Sequence, residues 1–359
     1  MKTLQQCYED IASDQTKWSY YEKSIDINNQ WTDNKAAFEF IKKYFEYAGK
    51  SRVFKDENID KNRMQIEDRA GHTISTFLLG LIIADSFGLE IFIRDDNNMN
   101  FKYYWFLSCL YHDVGYVFEN KEDFEKLNIV QKDGIEGLQE VCGIKYIHER
   151  VFITYSKEQI ELYLEKRSGT ENKPGKLDHG IVGGLLLYDK LRRQFETAWK
   201  KRTNHNDTRE SFYFKDECND RELHLSNKHY EAYAKAANAI IAHNIWQSTL
   251  RGYIETNQES RKNIAKKINR INISDNLCFI LSLADTLEPL KRKFSDLDLI
   301  SIGTLDYNQG IELQINIDTY NELYQNVKSL EDWMEVDVTI EEIEADMVSI
   351  KIGLPISQE

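Results

Sequence analysis

Apolar residues recur at helical spacing over most of the first 290 positions of the chain. Residues 1–50 follow this pattern, with an N-cap predicted at Thr32 or Asp33. The run 101–111 is apolar on all sides apart from Lys102, which predicts a helix buried all round. Further helices are predicted from about Gln65, over 157–167, from Asp178 to Leu187, over 229–244, and from an N-cap at Ser274 or Asp275 to Pro289. The fold class expected is mainly α.

The period of the pattern changes from helical to two after about residue 298. Apolar and polar residues alternate over 311–317, after a turn at 308–310. A helix over 319–334 follows, and then strands near 336–340 and 348–354. The sequence therefore predicts a small α+β domain, β-β-α-β-β in order, over residues 298–359. We expect residues 51–297 to form the main helical domain and residues 1–50 to form a helical segment that packs on it.

Two polar insertions interrupt the main domain, near 119–176 and 200–228. Long connections inside a compact domain are usually functional or mobile, so the first is a candidate lid or substrate-selecting element. No apolar pattern surrounds His205, His224 and His229, and we interpret these three as surface histidines. His148 has no motif around it and is interpreted as structural.

The remaining ionisable residues of interest lie inside or at the ends of apolar helices. They are His72, the pair His112-Asp113, His179, His243 and Asp285, each on a different predicted helix. A buried carboxylate needs a partner, because its unpaired charge is very costly. Each residue taken alone has an ordinary structural explanation, such as a core histidine bonded to a carbonyl or a helix cap. Glycines at 180, 183 and 184 would let another helix pack closely against the His179 end.

Composition narrows the classes of function. The net charge of −14 argues against broad attraction to nucleic acid or to an anionic membrane, although local basic runs occur at 190–193, 200–202, 261–270 and 291–293. The five cysteines are scattered and never form a Cys-x-x-Cys pair, which favours reduced thiols. The first residues lack the apolar core of a signal peptide, and no apolar run is long enough to span a bilayer. We expect a cytoplasmic protein that does not bind membranes.

The order of these residues, H then HD then H then H then D, resembles the HD superfamily of metal-dependent phosphohydrolases, in its six-residue form with two metals. The local contexts that carry the resemblance are Arg69-x-x-His72, Tyr111-His112-Asp113-Val114-Gly115, Asp178-His179-Gly180, Ile241-Ala242-His243 and Leu283-Ala284-Asp285. They cover residues 65 to 295 and come nearest to the HD-GYP branch. The chain departs from that branch at Tyr116, where a lysine is usual, and at Asn244, where a second histidine is usual, and the Gly-Tyr-Pro signature is absent. The resemblance therefore does not assign cyclic-di-GMP as the substrate.

The resemblance implies a helical HD-domain bundle and a ligand set. His72, His112, Asp113 and Asp285 would hold one divalent ion, and Asp113 would bridge to a second ion held by His179 and His243. Imidazole and carboxylate donors suit Mn, Fe, Co, Ni or Zn. Two such ions can clamp a phosphoryl group and activate a bridging hydroxide, which makes a phosphohydrolase or phosphodiesterase acting on a nucleotide or cyclic nucleotide the expected function. Arg69 is the candidate that stabilises charge on the phosphoryl oxygens, and Asp68 is a candidate additional ligand.

Three alternatives share parts of this pattern. Mixed-valent di-iron oxygenases use the same ligands, a regulatory module could hold metal without catalysis, and HD nucleases of the CRISPR-associated kind act on nucleic acid, which the acidic charge disfavours. Arg69 also has an ordinary alternative, an ion pair with Asp68 or Glu67. The sequence does not identify the substrate, the metal or the oligomeric state.

Overall fold

The computed structural model describes residues 1–21, 25–89, 99–119, 124–170, 173–216, 221–245, 269–290, 296–305, 309–344 and 346–355. Helices make up most of these residues, which confirms the mainly α prediction. The α-helices are α1 (Leu4–Ala12), α2 (Gln15–Trp18), α3 (Asn34–Tyr47), α4 (Glu57–Lys61), α5 (Arg63–Glu67), α6 (Ala70–Ser86), α7 (Phe101–Cys109), α8 (Phe124–Cys142), α9 (Lys157–Arg167), α10 (His179–Lys200), α11 (Lys228–Ala242), α12 (Asn276–Leu287) and α13 (Ile317–Trp333). The strands are β1 (Lys2–Thr3), β2 (Gly169–Thr170), β3 (Lys173–Pro174), β4 (Ser211–Asp216), β5 (Arg221–Ser226), β6 (Ser301–Thr304), β7 (Gly310–Asn316), β8 (Asp337–Glu344) and β9 (Met347–Gly353).

Helices α6, α7 and α12 form the centre of the molecule. Every residue of α7 is buried, including Lys102, whose ammonium donates a hydrogen bond to the carbonyl of Thr16. The predicted helix over 101–111 is therefore confirmed, and its last turn opens into a tight turn that carries His112 and Asp113.

Glycines allow α10 and α11 to lie close together at the His179 end. A β-carbon on Gly184 would come within 2.5 Å of the carbonyl oxygen of Ala237, and one on Gly180 within 2.9 Å of the carbonyl oxygen of Ile240. Only glycine accommodates such a close backbone approach without displacement. This close packing confirms the expectation drawn from the small residues.

An antiparallel five-stranded sheet has the order β1-β6-β7-β9-β8. Leu313 of β7 lies opposite Ile302 of β6 on one side and Ile350 of β9 on the other, so the buried face of the sheet is continuous. The strands and helix predicted after residue 298 are confirmed. The first strand of the sheet, β1, comes from the N-terminus and was not predicted, because a two-residue strand has no periodicity to read.

The two insertions have different structures. Residues 119–176 contain α8, which breaks at Gly134 in a left-handed conformation, then α9 and the short β2–β3 hairpin. Residues 200–228 form the β4–β5 hairpin, which packs Phe212 and Leu225 against Phe195 of α10. A role of the first insertion as a lid stays a prediction.

Two sequence expectations need correction. The helix predicted from Gln65 through His72 is broken, because the side chain of Asn34 bonds the carbonyl of Asp68 and the amide of Gly71 and so satisfies the backbone at the break. His229 is buried rather than on the surface, at 7% exposure, because the first turn of α11 packs beside α7. His205 and His224 are exposed as expected, and exposed His148 caps a short 3-10 helix.

Several predictions concern residues outside the described ranges. They include Cys218, the basic run 291–293 and most of the basic run 261–270. Among the described residues, no helix combines the length and apolar character needed to cross a membrane. The described cysteines, Cys7, Cys109, Cys142 and Cys278, are free thiols.

Candidate metal centre

Six side chains from five parts of the fold converge on one buried centre. His72 comes from α6, His112 and Asp113 from the turn after α7, His179 from the first residue of α10, His243 from the residue that ends α11, and Asp285 from α12. None of the six residues is more than 8% exposed. The structure thus brings together all six histidines and aspartates that the sequence singled out, although they span more than 200 positions of the chain.

The donor atoms fall into two groups that share one carboxylate. One group is His72, His112 and Asp113, and the other is Asp113, His179 and His243; within each group the donor atoms lie within 4.8 Å of one another. Asp113 Oδ1 is 3.3 Å from His112 Nε2 and 3.8 Å from His179 Nε2. Such donor sets are suited to a divalent transition metal, and the shared Asp113 lies where it could contact two ions.

Asp285 completes the first group. Its Oδ1 atom lies 3.0 Å from His72 Nε2 and 3.5 Å from His112 Nε2. Asp285 lies in a largely apolar helix, where a buried carboxylate needs a partner, and His72 Nε2 is within hydrogen-bond distance of it.

Three imidazole nitrogens point into the centre without a hydrogen-bond partner among the described residues. They are the Nε2 atoms of His112, His179 and His243. The other ring nitrogen of His112 lies 2.7 Å from the carbonyl oxygen of Cys109, and that of His243 lies 2.6 Å from the carbonyl oxygen of Ile240. A carbonyl fixes the ring proton on Nδ1 and leaves a lone pair on Nε2, which is the form that binds metal. Buried lone pairs of this kind fit a metal ion, because a metal would satisfy them.

Two carboxylates that were not predicted from the sequence contact the Nδ1 atoms of the other two histidines, His72 and His179. Glu288 Oε2 lies 2.5 Å from His72 Nδ1, and Glu119 Oε2 lies 3.2 Å from His179 Nδ1. Carboxylates in this outer position orient metal-binding imidazoles and increase their basicity. A signal for Glu288 did exist in the sequence, since it follows Asp285 by three residues and therefore lies on the same helical face. Glu119 gave no signal, because it begins a polar insertion.

The electrostatic surroundings give the buried histidines different pKa values. Burial alone would lower the pKa of His72, but the carboxylates of Glu288 and Asp285 outweigh it and raise the pKa to about 9. Burial lowers the pKa of His243 to about 3, so this imidazole is neutral. Burial acts to raise the pKa of Glu119, and the nearby His179 and Lys176 reverse that effect and hold it below its ordinary value.

Asp178, which precedes His179, fixes the start of α10. Its carboxylate accepts hydrogen bonds from the amide of Ile181, the hydroxyl of Tyr163 and the amide group of Asn244. Asn244 thus supports the N-cap of α10. This buried cap holds the His179 backbone in place.

Arg69 reaches the edge of the centre. Its Nη1 atom lies 3.7 Å from Asp113 Oδ2, and its guanidinium lies 3.5 Å from the centroid of the Tyr116 ring, which stacks on His179 at 3.8 Å. The alternative ion pair with Asp68 or Glu67 is absent from the described contacts, and Glu67 pairs with Arg63 instead.

The additional ligand suggested at Asp68 does not join the centre. Asp68 is exposed, in the break between α5 and α6, and it belongs to neither donor group found among the described residues.

Comparisons with known proteins found no relative of this chain. No protein-family model, curated protein or solved structure matches this chain. The chemistry of the centre therefore has to be argued from its own residues.

Proposed function

We propose that this chain is a divalent-metal-dependent phosphohydrolase or phosphodiesterase of the HD superfamily, acting on a nucleotide-type phosphoester. The observation that supports the proposal most strongly is the position of Asp113, which belongs to two groups of metal donors at once. Enzymes that hydrolyse phosphoesters commonly use two ions that share a carboxylate.

The residues that would hold the ions follow from the two groups of donor atoms. His72, His112, Asp113 and Asp285 would hold one, and Asp113, His179 and His243 the other, with Mn, Fe, Co, Ni or Zn as the suitable metals. When bound, such ions polarise a phosphoryl oxygen and lower the pKa of water. Glu288 and Glu119 keep His72 and His179 oriented for this task.

Arg69 is the substrate-binding group of the proposal. Its side chain is 33% exposed, while the carboxylate of Asp113 beside it is almost fully buried. A guanidinium between solvent and the metal donors can bind phosphoryl oxygens with two parallel hydrogen bonds. Tyr116 supports it through a cation–π contact, since the guanidinium lies 3.5 Å from the centroid of the ring.

Hydrolysis of a defined phosphodiester tests the proposal. Bis(p-nitrophenyl) phosphate and a panel of nucleotides and cyclic nucleotides would be assayed with chain that has been stripped of metal and reloaded with Mn²⁺ or Co²⁺. We expect Asp113→Ala to abolish turnover and the exposed-site control His205→Ala to leave it within about twofold. Arg69→Ala should lower turnover about 100-fold and retain metal, because the guanidinium acts on substrate charge.

The same assay distinguishes the alternatives. Hydrolysis that persists in Asp113→Ala would contradict the proposal. Bound iron with oxygen consumption and no hydrolysis would point to the di-iron oxygenase. Bound metal with neither activity would point to the non-catalytic module.

A further inference from the structure

A cavity of about 900 Å³ lies away from the metal centre. Its walls come from the end of α3 and the residues after it, the start of α7, the first turns of α11 and the β4–β5 hairpin. No residue of the metal centre lines it. Along α11, Tyr233 at the cavity is ten residues from His243, roughly 15 Å at the rise of an α-helix. The two sites are therefore separate.

A buried lysine forms part of the cavity wall. Lys50 is 4% exposed, and its ammonium donates a hydrogen bond of 3.2 Å to the hydroxyl of Tyr233. It also lies 5.1 Å from the ring centroid of Tyr233 and 5.6 Å from that of Tyr103. These contacts fix the position of the ammonium beside the cavity.

Two further polar groups lie next to Lys50. The hydroxyl of Tyr103 is fully buried and lies beside the hydroxyl of Tyr233 that accepts from Lys50. The Nδ1 atom of buried His229 lies 3.0 Å from the amide nitrogen of Ser226 and 3.2 Å from its carbonyl oxygen. An ammonium, a hydroxyl and an imidazole that line one cavity form a set of polar groups suited to an anion.

The rest of the lining suits a planar ring. Tyr20, Tyr21 and Tyr47 contribute aromatic side chains, and Phe214 and Leu225 contribute apolar surface. Small-molecule sites are mostly apolar and aromatic, with a few polar groups that fix orientation, and they occupy about 300–1,000 Å³. The rim carries exposed residues of both signs, Lys228 and Glu210.

We propose that this cavity binds a nucleotide. Its phosphate would lie against Lys50, Tyr103 and His229, and its base would lie among the tyrosines. Lys228 at the rim adds positive charge for further phosphates, and Glu210 offers an acceptor for a ribose hydroxyl. The proposal does not rest on the function of the metal centre.

Calorimetric titration of the full chain in excess EDTA tests the proposal. The probes are ATP, GTP, CTP, UTP and inorganic phosphate, and the protein carries Asp113→Ala so that the metal centre does not contribute. We expect saturable binding of at least one nucleotide with one site per chain. Lys50→Met should weaken it by about 10- to 100-fold, since it removes a hydrogen bond to a charged group.

Two milder variants keep the test decisive if Lys50→Met does not fold. Tyr103→Phe removes one hydroxyl and should weaken binding by about three- to tenfold, and Lys228→Ala changes an exposed residue and should weaken it by a smaller factor. His205→Ala, on the exposed surface outside the cavity, should have no effect. The proposal is overturned if no nucleotide binds, if only inorganic phosphate binds, or if folded Lys50→Met and Tyr103→Phe bind as the parent does.

Discussion

In the proposed metal centre Glu288 would act through His72 rather than by contact with the ions. A carboxylate 2.5 Å from Nδ1 fixes which ring nitrogen faces the centre. We predict that Glu288→Gln weakens metal affinity by about 10- to 100-fold, because glutamine keeps the size of the side chain and loses its charge. Competition with a chromophoric chelator measures this affinity.

The matched control for this variant is Glu210→Gln, which neutralises an exposed glutamate. It should leave metal affinity unchanged. Equal affinity in Glu288→Gln and the parent would show that the Glu288–His72 contact has no part in metal binding.

His229 gives the unfolding free energy a dependence on pH. Burial, reinforced by nearby Lys50, lowers its pKa to about 3, whereas an unfolded histidine has a pKa of about 6.5. Between these values the unfolded chain binds the extra proton, so stability is full above pH 6.5 and is lost as the pH falls. For one proton the loss is at most about 1.4 kcal/mol per pH unit.

Urea unfolding at pH 7, 6 and 5 measures this dependence. We predict that the midpoint falls less steeply in His229→Asn than in the parent, while the exposed control His205→Asn follows the parent. Parallel curves for the parent and His229→Asn would contradict the lowered pKa.

The six histidines and aspartates of the centre could be predicted from the sequence because each lies in an apolar helix or at its end. A polar residue buried there is costly unless it has a partner. Glu119 could not be predicted, because its burial depends on contacts with Lys176 and His179, which are more than 50 positions away in the chain. The misassigned burial of His229 has the same origin, since only tertiary packing places Tyr103 beside it.

The short 3-10 helix Val114–Phe118 aligns Asp113 with α10. A β-carbon on Gly115 would lie 1.9 Å from the carbonyl oxygen of His179, so this segment and α10 touch backbone to backbone. We predict that Gly115→Ala destabilises the chain by about 1–3 kcal/mol through overpacking. It should also lower metal content, because it forces Asp113 and His179 apart.

Gly353→Ala is the control for this substitution, since its β-carbon would meet nothing closer than 3.4 Å. Urea unfolding measures the stability of both variants, and elemental analysis measures their metal content. Gly115→Ala with the stability and metal content of the parent would contradict the close contact.

Helical periodicity predicted the long elements well, because their apolar faces are set by local spacing. The prediction for α9 matches the observed bounds, Lys157–Arg167. The break after α5 was not predicted, because it depends on Asn34, more than 30 residues away. The β4–β5 hairpin was also missed, since its apolar residues pack on a small cluster with α10 rather than on the main core.

The main hydrophobic core extends from the N-terminal helices to the C-terminal sheet. It includes Tyr8 of α1, Trp105 of α7 and Ile350 of β9, and strand β1 joins the N-terminus to the sheet near the C-terminus. The division at residues 50 and 298 stays a prediction. We expect one cooperative unfolding transition in scanning calorimetry, because a shared core unfolds as a unit.

A separate transition for the C-terminal region would contradict this expectation. Thr3→Pro offers a further comparison, since it removes the N–H and the hydroxyl that form the capping box of α1 with Gln6, and it should lower the midpoint of the single transition without splitting it.

Metal stoichiometry tests the central claim most directly. Elemental analysis would be made on chain purified without a metal-affinity tag, and again after reconstitution, for the parent, Asp113→Ala and His205→Ala. The account predicts about two equivalents of transition metal in the parent and in His205→Ala, and almost none in Asp113→Ala, because that carboxylate belongs to both donor groups. No metal in the reconstituted parent, or equal metal in the parent and Asp113→Ala, would contradict it.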